Sequence, residues 1–270
     1  MRLAAVVAAA LALTTGPVAG SVGYLSSREA PDGGFAEPGG PATPSLTAWA
    51  VLALRATGAT PGRDTLAYLA AHADDLQDAT DVELVALAAP TPKLVARVRA
   101  LAHPDGSIGP TLNSTYWGVL ALKGAGIVSP LYENNRRFLL AQQTNKGGWS
   151  WGRGVAADSN DTAAAIEALR SLGVSGAPIR RGLAFLRTCR NRDGGFGLVR
   201  GRSSDAQSTA WAIQAYLAAG ARPPAGAFRF LARLRRTDGS YRYSLRYSIT
   251  PVWVTSQVLP ALARKPFPLR

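Results

Sequence analysis

Residues 181–220 read RGLAFLRTCRNRDGGFGLVRGRSSDAQSTAWAIQAYLAAG, and this stretch decides the fold. Its first part places apolar residues at helical spacing and stops at Gly194, because glycine tolerates the positive φ that often ends a helix. A second helix is predicted to begin near Ser204, which forms a capping box with Gln207, and to end at Gly220. The stretch therefore predicts a helical hairpin that is closed by a glycine turn.

The same hairpin recurs along the whole chain. The turn glycines recur at Gly33, Gly106, Gly147, Gly194 and Gly239. One long gap between turns holds a further helical pair over residues 65–89, which lacks the glycine turn. Six hairpins with a period of roughly 40 residues indicate a repeat architecture. Because an open stack would expose its apolar end faces, we expect the hairpins to close on themselves. The prediction is an all-α fold, an α/α toroid of about six hairpins forming a single domain over residues 21–264.

A second pattern within the hairpins resembles that of a known family. Squalene-type terpene cyclases repeat an aromatic and an aliphatic residue, three residues, Gln, three residues, Gly, any residue and Trp. The stretch Phe138-Leu139 to Trp149 matches this repeat at every position, and three other hairpins match it with Arg190, Arg235 or Glu29 in place of Gln. Over about residues 17–264 the chain is similar to the terpene-cyclase and protein-prenyltransferase superfamily. The resemblance implies the same toroidal fold.

The resemblance also points to a candidate catalytic segment. Residues 158–163, DSNDTA, are similar to the Asp-x-Asp-Asp-Thr-Ala signature of class II terpene cyclases, whose middle Asp protonates an alkene or epoxide. Asn160 stands at the acid position and has no proton to donate, so Asp158 or Asp161 would have to act as a displaced acid. The alternative is that these residues only cap a helix. Asp205 begins a similar segment in the next repeat and has the same alternative.

Other chemistries find less support in the sequence. Zinc-dependent prenyl transfer needs Asp, Cys and His ligands, but Cys189 lies far in sequence from His72 and His103. We therefore expect no metal site, and nothing in the sequence indicates a cofactor. Glycoside cleavage by paired carboxylates stays open as a minor alternative. The three aspartates above would be its acids, and Trp149, Trp151 and the tyrosines from Tyr241 to Tyr247 could stack on a sugar.

Four tryptophans align at equivalent positions of four second helices. They are Trp49, Trp117, Trp211 and Trp253. Equivalent positions of a closed ring face equivalent directions. If that direction is the lumen, the side chains form an aromatic wall suited to an apolar or isoprenoid-like ligand, with Asp205 nearby at the mouth. If the direction lies between the inner and outer helices, the tryptophans are core.

The two ends of the chain are predicted to lie outside the repeats. Residues 1–20 contain one Arg, an uncharged apolar stretch and small residues, which is typical of a signal peptide. Packing as a first helix is the alternative. Residues 265–270 are expected to form a basic, proline-containing tail. We thus expect a bacterial protein that is secreted or associated with the cell envelope, with a cytoplasmic location as the alternative.

The charge is distributed unevenly between the two halves. Residues 1–133 carry 8 basic and 11 acidic side chains, a charge of −3, whereas residues 134–270 carry 22 and 6, a charge of +16. A field of this sign attracts an anionic polymer or membrane surface, although a solvated basic surface is equally compatible with it. No nucleic-acid-binding motif is present, so we do not expect a nucleic-acid partner. The oligomeric state is not indicated.

Three hypotheses of function follow from these patterns. The preferred one is an exported, non-catalytic toroid that binds an apolar or isoprenoid-like small molecule or an envelope partner. The second is an active class II terpene cyclase with a displaced acid. The third is a basic structural or adaptor module on the cell envelope. The chain is half the size of two-domain triterpene cyclases and would lack the domain that completes their cavity, which favours the first hypothesis.

Overall fold

The computed structural model describes residues 16–269, and twelve helices in this range pair into six hairpins. The first helices of the pairs are α1 Pro17–Ser26, α3 Arg63–Ala71, α5 Pro92–Ala100, α7 Tyr132–Ala141, α9 Ala177–Thr188 and α11 Ala225–Leu234. The second helices are α2 Pro44–Ala56, α4 Ala79–Ala88, α6 Leu112–Gly124, α8 Ser159–Ser171, α10 Ala206–Ala218 and α12 Pro251–Leu262. Strand pairing within the described range is limited to isolated bridges at the turns. The predicted all-α class is confirmed.

The second helices form a closed inner ring. Each packs on its two neighbours in the order α2, α4, α6, α8, α10 and α12, and α12 packs on α2. The first helices pack outside this ring, each against the inner helix of the preceding hairpin, and α1 packs on α12 in the same way. The outer helices α5, α7 and α9 also contact the inner helix of their own hairpin. The inner helices are apolar on nearly every face because both the lumen and the outer helices cover them. The predicted α/α toroid is confirmed, including the hairpin that lacks a glycine turn.

The glycine turns build the corners between outer and inner helices. Gly194 has φ 93°, and a Cβ there would lie 2.7 Å from the carbonyl oxygen of Gly226 in the next outer helix. Phe196, two residues later, is buried, and its N–H donates to Thr209 Oγ1 at 2.9 Å. The same bond runs from Phe35, Ile108, Trp149 and Tyr241 to Thr47, Thr115, Thr162 and Thr255. Each corner is therefore fixed by a residue without a Cβ and by an inward hydroxyl acceptor.

The ring closes between the sixth hairpin and the first. Gly239 packs against the backbone of Gly20 in α1, where no Cβ would fit. The Ser21 hydroxyl donates to the Gly239 carbonyl at 2.6 Å. Residues 1–15 of the predicted signal peptide lie outside the described residues, but Pro17–Gly20 belong to α1. The predicted segment 1–20 thus overlaps the helix that closes the ring.

The cap of α10 differs from the predicted one. The N-cap residue is Asp205, whose carboxylate accepts from the Ser208 N–H at 2.7 Å and from its hydroxyl at 2.9 Å. Ser204 instead donates to Asp193 at 2.8 Å. An anionic acceptor is favoured at the positive end of a helix, so the carboxylate takes the position that the capping box assigned to the serine.

Among the described residues, no helix is both long enough and apolar enough for a membrane span.

Candidate functional site

Three tryptophans fill the centre of the ring. Trp49, Trp117 and Trp211 lie on the alternate inner helices α2, α6 and α10, and their ring centroids are 5.4, 5.5 and 6.2 Å apart. The rings meet edge to face, and each side chain is at most 9% exposed. The tryptophans therefore face the lumen, but they meet across it and form its core. We call these three residues the tryptophan triad.

Trp253 does not occupy the fourth equivalent position. The bond from Tyr241 to Thr255 sets the register of α12, and it places Gln257 where α10 has Trp211. Gln257 Oε1 accepts from Trp211 Nε1 at 2.8 Å, whereas Trp253 is half-buried one turn nearer the start of α12. The sequence alignment of this helix was wrong by four residues. It matched tryptophan to tryptophan and so put Pro251, which has no hydroxyl, at the position of Thr209.

The C-terminal segment closes the lumen on the other side of the triad. The ring of Phe267 lies 5.8 to 6.3 Å from the three tryptophan rings and is buried. Its N–H donates to Glu167 Oε2 in α8 at 2.8 Å. Lys265 is exposed, whereas Phe267, in the segment predicted as a basic, proline-containing tail, is buried in the ring. Charge and proline dominate its composition, while the single Phe decides where it packs.

A buried polar layer lies at the triad position of α12 and one helical turn beyond that position in α8 and α10. It comprises Glu167, Gln214 and Gln257 on the neighbouring helices α8, α10 and α12, all at most 1% exposed. Burial raises the pKa of Glu167 well above its usual value. Glu167 Oε1, both amide atoms of Gln214 and Gln257 Nε2 have no hydrogen-bond partner within residues 16–269. Sequence reasoning missed this layer, although a Glu and two Gln in otherwise apolar inner helices are the signal that could have found it.

The candidate acid segment forms the start of α8. Asp158 is the N-cap, and its Oδ1 accepts from the N–H groups of Asn160 and Asp161, both at 2.9 Å. Asp161 is buried and accepts from Asn113 Nδ2 of the preceding inner helix at 2.7 Å. Burial, together with the nearby Asp158 carboxylate, raises the pKa of Asp161 to about 8. Asn160 is half-buried, with its Oδ1 3.3 Å from the Ser159 hydroxyl.

The remaining candidate residues do not join this segment. Asp205 caps the next inner helix, and burial raises its pKa to about 6. Cys189 is buried, and His72 Nδ1 lies 2.9 Å from the carbonyl oxygen of Tyr68. Nowhere in the described part of the chain do three or more His, Cys, Asp or Glu side chains converge as metal ligands would.

We expect the protein to become more stable as the pH falls from 8 to 5. The folded-state pKa of Asp161, about 8, lies above its ordinary value of 3.8, so the folded protein takes up this proton before the unfolded chain does. The resulting stabilisation is complete below about pH 4 and is lost as the pH rises through 8; between pH 8 and pH 5 it is on the order of 3 kcal/mol. Urea unfolding midpoints measured across this range should therefore rise on acidification. Asp161→Asn should remove this share, and an unchanged pH dependence in that variant would contradict the assignment.

A pocket of about 530 Å³ opens at the mouth of the ring, where the inner helices begin. Trp49 and Trp117 form its floor, and the other lining residues are Glu37, Thr43, Ser45, Leu46, Thr80, Asp81, Leu84, Thr250 and Trp253. We call it the mouth pocket. Its lining comes from α2, α4, α6, α12 and adjoining loops, whereas the acid segment begins α8, which stands opposite α2 in the ring.

Both charged residues that line the mouth pocket are acidic. The Glu37 carboxylate accepts from the N–H groups of Val252 and Trp253 at 3.0 and 2.8 Å and so caps α12. The Asp81 carboxylate accepts from the Ser45 hydroxyl at 2.5 Å. No Lys or Arg is among the lining residues. The mouth pocket thus combines an apolar aromatic floor with walls that carry hydroxyl and carboxylate groups.

Comparison with known proteins identifies the fold. No protein-family model matches the sequence, and no curated protein matches it. Among solved structures, the apo type II terpene cyclase MstE from Scytonema has a TM-score of 0.68 and 14% identity, over 92% of this chain and 96% of its own. The ent-copalyl diphosphate synthase from Streptomyces platensis has a TM-score of 0.59 and 21% identity, over 84% of this chain and 52% of its own. The Candida albicans protein geranylgeranyltransferase-I complexed with GGPP has a TM-score of 0.61 and 13% identity, over 81% and 83%.

The chain therefore has the toroidal fold of the terpene-cyclase and prenyltransferase superfamily, as the resemblance in its repeats predicted. At these identities the likeness establishes the fold alone. The comparison with MstE also weakens the argument that the lack of a second domain disfavours a cyclase. This chain matches 96% of the MstE chain, so its size alone does not separate it from a protein described as a type II terpene cyclase.

Proposed function

We propose that this protein binds an uncharged apolar or isoprenoid-like molecule in the mouth pocket and does not cyclise it. The observation that carries the proposal is the mouth pocket itself, whose volume of about 530 Å³ suits a small-molecule site and whose floor is two tryptophans. Glu37 and Asp81 would repel a diphosphate, which favours an uncharged ligand. An isoprenoid is favoured because MstE R337A has been solved in complex with geranylgeranyl dihydroxybenzoate as substrate.

Three features support a non-catalytic role. The position of the cyclase acid is Asn160, which cannot donate a proton. Asp161, with a pKa of about 8, is a weak acid, whereas protonating an alkene requires a strong one. The triad and Phe267 fill the lumen from the two sides, so a carbocation chain has no enclosed chamber there.

We also propose that the protein acts outside the cytoplasm, on the strength of residues 1–20 alone. The structure adds one condition to this proposal. Processing must fall before Pro17 if α1 is to remain whole and to close the ring. N-terminal sequencing of the protein recovered from the culture medium or the cell envelope tests it, and recovery of unprocessed protein from the cytosol alone would refute export.

We expect geranylgeraniol and farnesol to bind in native mass spectrometry. Geranylgeranyl diphosphate should bind at least tenfold more weakly, because both charged residues that line the mouth pocket, Glu37 and Asp81, are acidic. Thr80 lines the mouth pocket, so Thr80→Trp should fill it and abolish binding of the alcohols. Thr60→Trp is the matched control, because Thr60 is exposed and lies outside the mouth pocket. That variant should bind as the wild type does.

The outcomes separate the hypotheses. Failure of both alcohols to bind, or binding that Thr80→Trp leaves intact, would refute the mouth pocket as the ligand site. Incubation with squalene, oxidosqualene and geranylgeranyl diphosphate tests the rival cyclase hypothesis. Cyclic products that disappear in Asp161→Asn would support that rival. We expect none, and we expect Asn160→Asp to create no activity, because residue 160 is half-buried and water would reach its carboxyl.

A further inference from the structure

Exposed apolar side chains are concentrated at one part of the ring. Of the seven large apolar or aromatic side chains exposed among the described residues, six lie in three loops. These loops, which we call the rim loops, are residues 150–157 before α8, 197–204 before α10 and 242–250 before α12. The six side chains are Trp151, Val155, Leu198, Leu245, Tyr247 and Ile249, between 42% and 56% exposed. So local a concentration of apolar surface indicates a contact with another phase or molecule.

The rim loops lie side by side on the mouth face. Each one contributes a backbone carbonyl to the start of the preceding inner helix. The Trp151 carbonyl accepts from the Asn113 N–H at 3.0 Å, and that of Leu198 accepts from Ser159 at 2.8 Å. The Tyr243 carbonyl accepts from the N–H of Ala206 at 2.7 Å in the same way. These bonds connect four consecutive hairpins, the third to the sixth, along one edge of the mouth face.

The charge of the rim loops has a single sign. They contain five Arg and no Asp or Glu. Arg153 pairs with Asp105 at 3.0 Å, and Arg242 donates to the Leu245 carbonyl at 2.7 Å. Arg200, Arg202 and Arg246 are exposed and form no ion pair with any residue of the described range. Three guanidinium groups are thus available to an anionic partner that also accepts apolar side chains.

A second pocket lies between two of the rim loops. It has a volume of about 430 Å³, and it is lined in part by Arg202, Arg246, Tyr243, Tyr247, Ser203 and Ser244. Asp205 lies at its base, but its carboxylate is already bonded to Ser208. Guanidinium and hydroxyl groups are the donors that bind phosphate oxygens. The pocket therefore suits the phosphate of a lipid headgroup.

We propose that the rim loops dock on an anionic phospholipid bilayer. Trp151, Leu245 and Ile249 would enter the interface between headgroups and acyl chains, where Trp and apolar residues are stabilised. Arg200, Arg202 and Arg246 would contact lipid phosphates. A soluble anionic polymer satisfies the charge but offers no phase for the apolar side chains, so the bilayer is favoured. Docking in this orientation turns the mouth of the ring toward the membrane, although it does not depend on the ligand proposed above.

Flotation with vesicles tests this proposal. We expect the protein to bind vesicles of 70:30 phosphatidylcholine and phosphatidylglycerol, and to bind vesicles of phosphatidylcholine alone far more weakly. Each basic residue near an anionic surface contributes roughly a factor of 5, so Arg200→Glu, Arg202→Glu and Arg246→Glu together should lower partitioning about 100-fold or more. The matched control is Arg180→Glu, Arg222→Glu and Arg229→Glu, which changes the net charge equally at exposed positions on the outer helices and the opposite end of the hairpins. It should retain most of the binding.

A second variant tests the apolar contact. Trp151→Ser, Leu245→Ser and Ile249→Ser together should weaken binding to the anionic vesicles at least tenfold without changing the charge. Circular dichroism checks that every variant keeps its helices. Equal loss of binding in the two charge variants would overturn the proposal, because the attraction would then be unspecific. Unchanged binding in the serine variant would overturn it as well and would indicate a polyanion site.

Discussion

Replacing Phe267 with alanine should lower the free energy of unfolding by about 3–5 kcal/mol, the range for removing a large aromatic side chain from a core. The ring of Phe267 is buried against all three tryptophans of the triad. Its removal leaves a cavity in the lumen that the surrounding inner helices cannot collapse to fill, because they are already packed on their neighbours. Urea unfolding gives the change in stability. Tryptophan emission should shift to longer wavelength as water reaches the triad.

Phe185→Ala is the matched control for this substitution. Phe185 lies on the outer helix α9 and is only half-buried, so its truncation should cost clearly less and leave the emission unchanged. Removing residues 264–270 should reproduce the emission shift of Phe267→Ala. If neither change alters stability or emission, the segment does not occupy the lumen in solution. Because Trp49 and Trp117 also form the floor of the mouth pocket, the same variants should weaken ligand binding in that pocket.

The corners of the ring could be predicted from sequence because each depends on local chemistry. A turn glycine with a positive φ and an aromatic residue two positions later identify the hairpin at Gly194 and Phe196 without knowledge of the rest of the fold. Closure followed from the repeat number, because six hairpins without capping ends have to cover one another. The fold was therefore predictable from the length of the repeat and from the residues of its turns.

The contents of the lumen could not be predicted in the same way. Periodicity indicates which face of an inner helix points inward, but not how far the opposite face lies. Whether Trp49 and Trp211 line a cavity or meet at 6.2 Å depends on the diameter of the ring. The position of Phe267 depends on where the chain runs after α12, and no repeat constrains that path. For the acid segment, the sequence identified both capping and catalysis as possible, and the two N–H bonds that Asp158 accepts show the cap.

Gly239→Ala should destabilise the protein by about 3 kcal/mol or more, whereas Gly201→Ala should cost about 1–2 kcal/mol. Both glycines have a positive φ, 93° and 85°, so the backbone strain of an added Cβ is similar. They differ in their surroundings. A Cβ on Gly239 would collide with the backbone of Gly20 in α1, but a Cβ on Gly201 would meet nothing within 4 Å. The difference between the two urea unfolding free energies therefore measures the contact that closes the ring.

The same pair of variants tests where the N-terminus of the mature protein lies. If the cell removed residues 1–20, Gly20 would be absent, and the costs of Gly239→Ala and Gly201→Ala would become equal. Gly194→Ala provides the internal reference, because its Cβ would meet Gly226 at 2.7 Å whatever happens at the N-terminus. We expect Gly239→Ala to cost as much as Gly194→Ala in protein purified from its native compartment. Any processing then falls before Gly20, and α1 takes part in the fold through the backbone contact between its Gly20 and the turn of the sixth hairpin.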